Sequence, residues 1–170
     1  MSIGLLILRL VVGLTLAAHG AQKLFGWFGG YGVAGTGQFM EQLGFRPGRL
    51  YAAQAGLTEV LGGVFLAAGF LTPVAAAMVG AVMLVAAVSA HIRKGFFAHN
   101  GGYEYTLVLG ATAVALAFTG PGNFALDQAL GISWSGEAWG LAALAAGLVG
   151  GVVPLLARKT APTSSSEQAA

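Results

Sequence analysis

The segment YAAQAGLTEVLGGVFLAAGF, residues 51–70, decides the fold because it is a long apolar stretch with a single carboxylate near its middle. As an α-helix, about 20 residues rise about 30 Å, which is the hydrocarbon thickness of a bilayer. A carboxylate near the bilayer centre costs at least about 2.5 kcal/mol to insert. The segment therefore predicts a transmembrane helix in which Glu59 faces protein or water and has a polar partner.

The composition of the whole chain excludes an ordinary soluble domain. Of its 170 residues, 56% are hydrophobic and 8% are charged, whereas about a quarter of the residues of a soluble domain are charged. The 28 glycines, and apolar runs without strand-like alternation, favour membrane helices. A net charge of only +2 does not suggest a nucleic-acid partner. The absence of cysteine excludes disulfides, thiol relays, iron–sulfur clusters and thiolate zinc sites.

Five transmembrane helices are predicted, at residues 3–20, 51–70, 74–92, 105–119 and 139–156. They form one all-α domain over residues 1–159, a polytopic membrane helix bundle, and the small polar tail 160–170 is expected to be disordered.

The distribution of positive charge supports the count of five. With five spans, all Lys and Arg except Arg9 lie on one side of the membrane: Lys23, Arg46, Arg49, Arg93, Lys94, Arg158 and Lys159. The positive-inside rule makes this side cytoplasmic. We therefore expect a multi-pass protein of the bacterial cytoplasmic membrane, with the N-terminus outside and the C-terminus in the cytoplasm.

The fifth span carries small residues four positions apart, Ala143, Gly147 and Gly151. Such stripes let helix backbones approach closely. We expect this stripe to pack within the chain rather than to form a homodimer, which is the alternative.

Several polar side chains are predicted to lie at similar depth near the cytoplasmic face. His19 ends the first span, His91 ends the third, and Glu104 and Tyr105 begin the fourth. Glu59 lies about 12 Å from the cytoplasmic end of its helix, and its side chain leans toward that end. These groups can share one pocket, with a basic rim that includes Lys23, Arg93 and Lys94.

Two interpretations of Glu59 remain open. It forms a structural ion pair with Arg9, or it carries a proton or hydrogen-bonds a ligand, as intramembrane ionisable residues often do. A metal site formed by His19, Glu59, His91 and Glu104 is less favoured than either interpretation, because the paired Glu-x-x-His spacing of di-iron bundles is absent. Axial ligation of a haem by His19 and His91 is less favoured than the metal site.

Three segments resemble the DoxX family of bacterial membrane proteins: HGAQKLFGWFGG at residues 19–30, TEVLGGVFLAAGFLTP at 58–73 and HIRKGFFAHNGGYEYTLVLGA at 91–111. The resemblance covers roughly residues 3–120. It implies a four-helix core, to which the charge pattern adds a fifth, C-terminal helix. The segments contain His19, Lys23, Glu59, His91 and Glu104, which are also the side chains predicted to lie near the cytoplasmic face.

The resemblance also implies an association with redox complexes. The similar DoxD group acts as a subunit of a thiosulfate:quinone oxidoreductase, and actinobacterial DoxX proteins are linked to a membrane complex with superoxide dismutase and a sulfurtransferase. The absence of cysteine argues against direct sulfur carriage by this chain.

The leading functional hypothesis is a membrane subunit of a quinone-linked redox complex. Glu59, His91 and Glu104 are the candidate catalytic, proton-exchanging groups, and His19, Lys23, His91 and Tyr105 are the candidate contacts to a quinone head group. Electrons would come from a soluble partner at the cytoplasmic face, because the chain has no dinucleotide or flavin motif.

Two alternative functions are a non-catalytic anchor and a carrier. A non-catalytic anchor would recruit soluble proteins through the loop at residues 23–49. A small-solute or proton carrier would use Arg9 and Glu59, although the chain shows no inverted repeat.

Overall fold

The computed structural model describes residues 2–159, so the tail that was expected to be disordered, 160–170, lies outside the described residues. Within 2–159 the chain forms helices and turns and no strand, which confirms the all-α prediction. The helices are α1 (Ser2–Phe25), α2 (Gly32–Gln42), α3 (Gly48–Ala68), α4 (Thr72–Ala86), α5 (Glu104–Thr119), α6 (Leu126–Ala129) and α7 (Glu137–Ala157). A π-helical turn, Ala87–His91, and a 3₁₀ turn, Ile92–Lys94, continue α4.

Four of these helices are long and apolar enough to cross a membrane, which confirms a polytopic membrane bundle. They are α1, α3, α7 and α4 with its continuation to Lys94. The apolar α5 is shorter, and its 16 residues rise about 24 Å. Gly147 and Gly151 of α7 lie opposite Ala77 and Ala81 of α4, so α4 and α7 run parallel. The intervening α5 therefore returns the chain from one end of the bundle to the other.

Glycine pairs bring α1 and α3 into close antiparallel contact. A methyl group added at Gly13 would lie 2.5 Å from the carbonyl oxygen of Gly63, and one added at Gly20 would lie 2.6 Å from that of Gly56. Small residues at helix crossings permit such close packing in membranes. The two contacts set the stagger of α1 against α3, and hence which charged side chains of the two helices can meet.

The interior of the bundle is filled by apolar side chains of α1, α3, α4 and α5, including Leu16, Leu66, Val79 and Leu116, each at most 1% exposed. The small residues of α7 lie against α4, as expected for packing within one chain. The last described residue, Lys159, donates its backbone N–H to the carbonyl of Gly44.

The directions of the helices bring the positively charged loops together at one end of the bundle. One end of the bundle, here termed the basic end, holds the end of α1, the start of α3, the α4–α5 loop and the end of α7. Its cations are Lys23, Arg46, Arg49, Arg93, Lys94, Arg158 and Lys159.

The first helix is longer than predicted. It continues five residues beyond Gly20 to Phe25, so Lys23 lies in a helix rather than in a turn. Gly20 does not break the helix because it is packed against Gly56. The break comes at Gly26, which adopts the left-handed conformation with φ 74°, a conformation that glycine adopts readily. After a 3₁₀ turn, Trp27–Gly29, α2 folds back against α3.

Candidate functional site

Glu59 does have a polar partner, and the partner is Lys23. Oε2 of Glu59 accepts a hydrogen bond from Nζ of Lys23 at 2.5 Å. The glutamate side chain is 3% exposed and that of the lysine is 25% exposed. In the part of the chain that the structure describes, this is the only salt bridge. The Lys23–Glu59 pair thus links the interior of the bundle to its accessible basic end.

Arg9 does not pair with Glu59, so the proposed structural pair of these two residues is wrong. Arg9 is fully buried and donates to the carbonyls of Ala67 at 3.1 Å and Phe124 at 2.5 Å. The stagger of α1 explains this. Ala67 follows Glu59 by eight residues, or about 12 Å of helix rise. Arg9 and Glu59 therefore do not form the contact on which a carrier that would use both was based.

His19 lies beside the ion pair, one turn before Lys23 on α1. Its Nδ1 lies 3.0 Å from Oε1 of Gln22, and its Nε2 lies 3.3 Å from the hydroxyl of Tyr105. Nε2 of Gln22 donates to the carbonyl of Phe28 at 3.2 Å. Because the amide nitrogen is used there, Oε1 is the acceptor, and the proton of a neutral His19 lies on Nδ1. Nε2 of His19 then accepts from Tyr105. Glu59 lies close enough to both residues for an electrostatic interaction.

His91 and Glu104, by contrast, are bonded to the α4–α5 loop. Nδ1 of His91 donates to the carbonyl of Gly101 at 2.6 Å, and Oε2 of Glu104 accepts from the backbone N–H of Ala98 at 2.9 Å. The short turns of this loop leave backbone groups without helical partners, and the two side chains satisfy two of them. The predicted single pocket is therefore divided. His19, Lys23, Glu59 and Tyr105 come together, while His91 and Glu104 order the loop.

The metal and haem alternatives find no support in these positions. Within residues 2–159, no three His, Asp or Glu side chains lie close enough together to hold a metal ion. Both ring nitrogens of His19 are engaged by Gln22 and Tyr105, which argues against axial ligation of a haem iron.

Lys23 also lines a cleft of about 530 Å³ between the end of α1 and α2. The polar side chains of the cleft are Gln22, Lys23, Tyr31, Thr36, Gln38 and Gln42, and its wall includes Phe39. Of these, Tyr31, Gln38, Phe39 and Gln42 are exposed. The sequence analysis did not single out Gln38 or Gln42, because only the turn after α1 brings α2 beside Lys23.

A second buried charged cluster lies at the opposite end of the bundle, and its acidic member, Asp127, was missed from the sequence. The Asp127 carboxylate is 1% exposed. It accepts hydrogen bonds from the backbone N–H of Leu71 at 2.7 Å and of Thr72 at 3.0 Å, and from the Thr72 hydroxyl at 2.7 Å. It thereby caps the N-terminus of α4, where a carboxylate is favoured by the helix dipole, and it lies within electrostatic range of Arg9. The available signal was Asp127, the one charged residue of the segment 124–132.

Comparison with known proteins identifies the family. The DoxX family model matches residues 4–92, just over half of the chain. The chain belongs to the DoxX family. The matched region includes His19, Lys23, Glu59 and His91, but it ends before Glu104, Tyr105 and Asp127.

A relative supports the cellular location of this DoxX protein. Inner membrane protein YqjF of Escherichia coli (strain K12) is 28% identical over 132 residues, which cover 78% of this chain and 95% of the relative. No solved structure matches the chain. Together with its apolar helices, the relative supports a multi-pass protein of the bacterial inner membrane.

Proposed function

We propose that this DoxX protein is the membrane subunit of a redox complex and binds a quinone head group in the cleft beside Lys23. The observation that carries the proposal is the position of Lys23, whose ammonium group bonds a buried glutamate and also lines a polar cleft. A cleft of about 530 Å³ is within the range of about 300–1,000 Å³ that is common for small-molecule sites. The positive-inside rule orients this cleft toward the cytoplasm.

The side chains of the cleft fit a quinone ring. A quinone presents two carbonyl acceptors on a flat apolar ring. The Lys23 ammonium has three protons and donates one to Glu59, so two remain for the cleft. The amides of Gln38 and Gln42 are further donors, and the exposed rings of Tyr31 and Phe39 offer apolar contact.

Groups that carry exchangeable protons lie next to Lys23, although Glu59, His19 and Tyr105 do not themselves line the cleft. A bound quinone becomes a quinol by taking up two protons and two electrons, and a soluble redox protein would supply the electrons. Glu59 holds the ammonium of Lys23 in place and balances its charge. The Tyr105 hydroxyl and Nε2 of His19 form a second titratable pair beside it. His91 and Glu104 have no part in this version of the site, because they bind the α4–α5 loop.

The test is the quinone content of the purified protein. The full chain is purified in mild detergent, its quinone is extracted and quantified, and binding of a short-chain ubiquinone analogue is titrated. Wild-type protein should bind about one quinone. Lys23→Met should weaken analogue binding about tenfold or more, because a charge-assisted hydrogen bond contributes about 1.5–3 kcal/mol.

Two further variants separate binding from folding. Gln42→Leu alters the exposed wall of the cleft without touching the ion pair, and it should also weaken binding. Lys94→Met removes a cation from the same end of the bundle, away from the cleft, and should have no effect. If wild-type protein binds no analogue, or if Lys23→Met and Gln42→Leu bind it normally, the quinone proposal is wrong. Recruitment of a soluble protein by such a quinone-free chain would support the anchor.

A further inference from the structure

A long apolar groove lies on the side of the bundle formed by α4, α5 and α7, away from the quinone cleft. Its volume is about 520 Å³. The groove is lined by Gly80 of α4, Gly110 and Ala111 of α5, and Gly147 of α7, and these small residues create the space. Along α5 the groove extends from Tyr103 to Phe118, which corresponds to about 22 Å of helix rise. It is therefore longer than one leaflet of a bilayer, whose full hydrocarbon core is about 30 Å.

The two ends of the groove differ. At the end away from the basic loops, Phe118 lies against Gly140 of α7, where an added methyl group would clash with its ring. At the other end the groove is bordered by Ala87 and Tyr103. Ala87 begins the π-helical turn of α4, a feature that often occurs at functional sites.

The α4–α5 loop joins the two helices at the Ala87–Tyr103 end of the groove, and it carries two cations and a histidine. Arg93, Lys94 and His99 are all exposed on the α4–α5 loop. The ammonium of Lys94 would lie 3.5 Å from a methyl group added at Gly101, two residues before Tyr103 of the groove. Within residues 2–159 neither Arg93 nor Lys94 forms an ion pair.

We propose that the α4–α5–α7 groove binds one acyl chain of an anionic phospholipid, whose phosphate is held by Arg93 and Lys94. The groove is apolar over about 22 Å, which is longer than one leaflet of the bilayer, so an acyl chain matches its chemistry. The two cations are placed at its end, where the chain meets its head group, and basic pockets between transmembrane helices recognise anionic lipids in this way. This site shares no residue with the quinone cleft, and it does not depend on the proposed function.

The test compares two lipids with identical chains. The full chain is delipidated in detergent, then titrated with dioleoyl phosphatidylglycerol or dioleoyl phosphatidylcholine, and bound lipid is counted by native mass spectrometry. The anionic lipid should bind one per chain and more tightly. Arg93→Gln and Lys94→Gln should each reduce this preference about fivefold, since a cation near an anionic membrane surface contributes about 1 kcal/mol. Arg46→Gln, a cation of the same end on a different loop, should not change it.

A second pair of variants tests the groove itself. Ala111→Phe places a large side chain at an exposed position that lines the groove, and it should weaken binding of both lipids. Val108→Phe adds the same ring at a 57% exposed position of α5 outside the groove, and should leave binding unchanged. The proposal is overturned if the preference survives both charge variants, if Ala111→Phe binds lipid normally, or if added ubiquinone displaces the phospholipid from the wild-type protein.

Discussion

The two buried charged clusters of this DoxX protein lie at opposite ends of the bundle and differ in what surrounds them. Asp127 and Arg9 are at most 1% exposed, and their partners are backbone groups and the Thr72 hydroxyl. Glu59 is equally buried, but its partner Lys23 is a quarter exposed and lines a cleft. Burial of a charge therefore does not by itself mark a site. A closed cluster stabilises the fold, whereas a cluster with an accessible member can act on a ligand.

The largest effect is expected from Asp127→Ala. The change removes three hydrogen bonds and the cap of α4, and it leaves Arg9 without a nearby carboxylate. A hydrogen bond to a charged group contributes about 1.5–3 kcal/mol, and losses within one network are not additive, so the total loss should be about 3–5 kcal/mol. We expect the free energy of unfolding in detergent to fall by about this amount, as measured by tryptophan fluorescence.

The matched control is Glu137→Ala, which removes an exposed carboxylate from the first turn of α7. It should lower the free energy of unfolding by less than about 1 kcal/mol. Equal effects of the two variants would show that the Arg9–Asp127 cluster does not stabilise the fold as argued.

An intermediate effect is expected from Lys23→Met. The variant leaves Glu59 buried without its ammonium partner, but the adjoining cleft admits water, so the loss should be about 1–3 kcal/mol. Adding Glu59→Gln removes the stranded charge and should recover part of this loss. The four proteins form a double-mutant cycle, in which residues in contact commonly couple by about 0.5–3 kcal/mol. Additive losses, with no coupling, would contradict a functional ion pair between these two residues.

Two features could be predicted from the sequence alone. The class of fold follows from the length of the apolar segments, and the requirement that Glu59 has a partner follows from the cost of a buried charge. The identity of the partner depended on helix stagger. Lys23 and Arg9 both lie on α1, and the glycine contacts at Gly13 and Gly20 decide between them. No periodicity in the sequence reports that stagger.

The depth of a residue in the bundle was easier to predict than the partner toward which its side chain points. His91 and Glu104 were placed at the correct end of their helices, yet the α4–α5 loop folds back and binds both. Asp127 could not be placed because its role arises only when α6 packs back onto the turn before α4. There the backbone N–H of Asp127 donates to the carbonyl of Gly69 at 2.9 Å. Such contacts between distant segments are tertiary and leave little local pattern.

The smallest effect is expected from Tyr105→Phe, which tests whether the accessible cluster extends to His19. The substitution removes the hydroxyl that bonds Nε2 of His19 and retains the ring that packs edge-on against the imidazole at 5.8 Å. Since Tyr105 is 43% exposed, water can replace the lost bond, and the free energy of unfolding should fall by at most about 1 kcal/mol.

The more informative measurement for Tyr105→Phe is the NMR titration of the His19 imidazole in detergent. In the wild-type protein a neutral His19 should carry its proton on Nδ1, because Oε1 of Gln22 accepts it. The variant should keep this tautomer while the Nε2 signal shifts, whereas Gln22→Leu should release the tautomer. If Tyr105→Phe leaves the Nε2 signal unchanged, His19 and Tyr105 are not bonded, and the accessible cluster reduces to Lys23 and Glu59 alone. That result would reduce the accessible cluster to one ion pair, and its contrast with the closed Arg9–Asp127 cluster would then depend on Lys23, the member of the pair that lines the cleft.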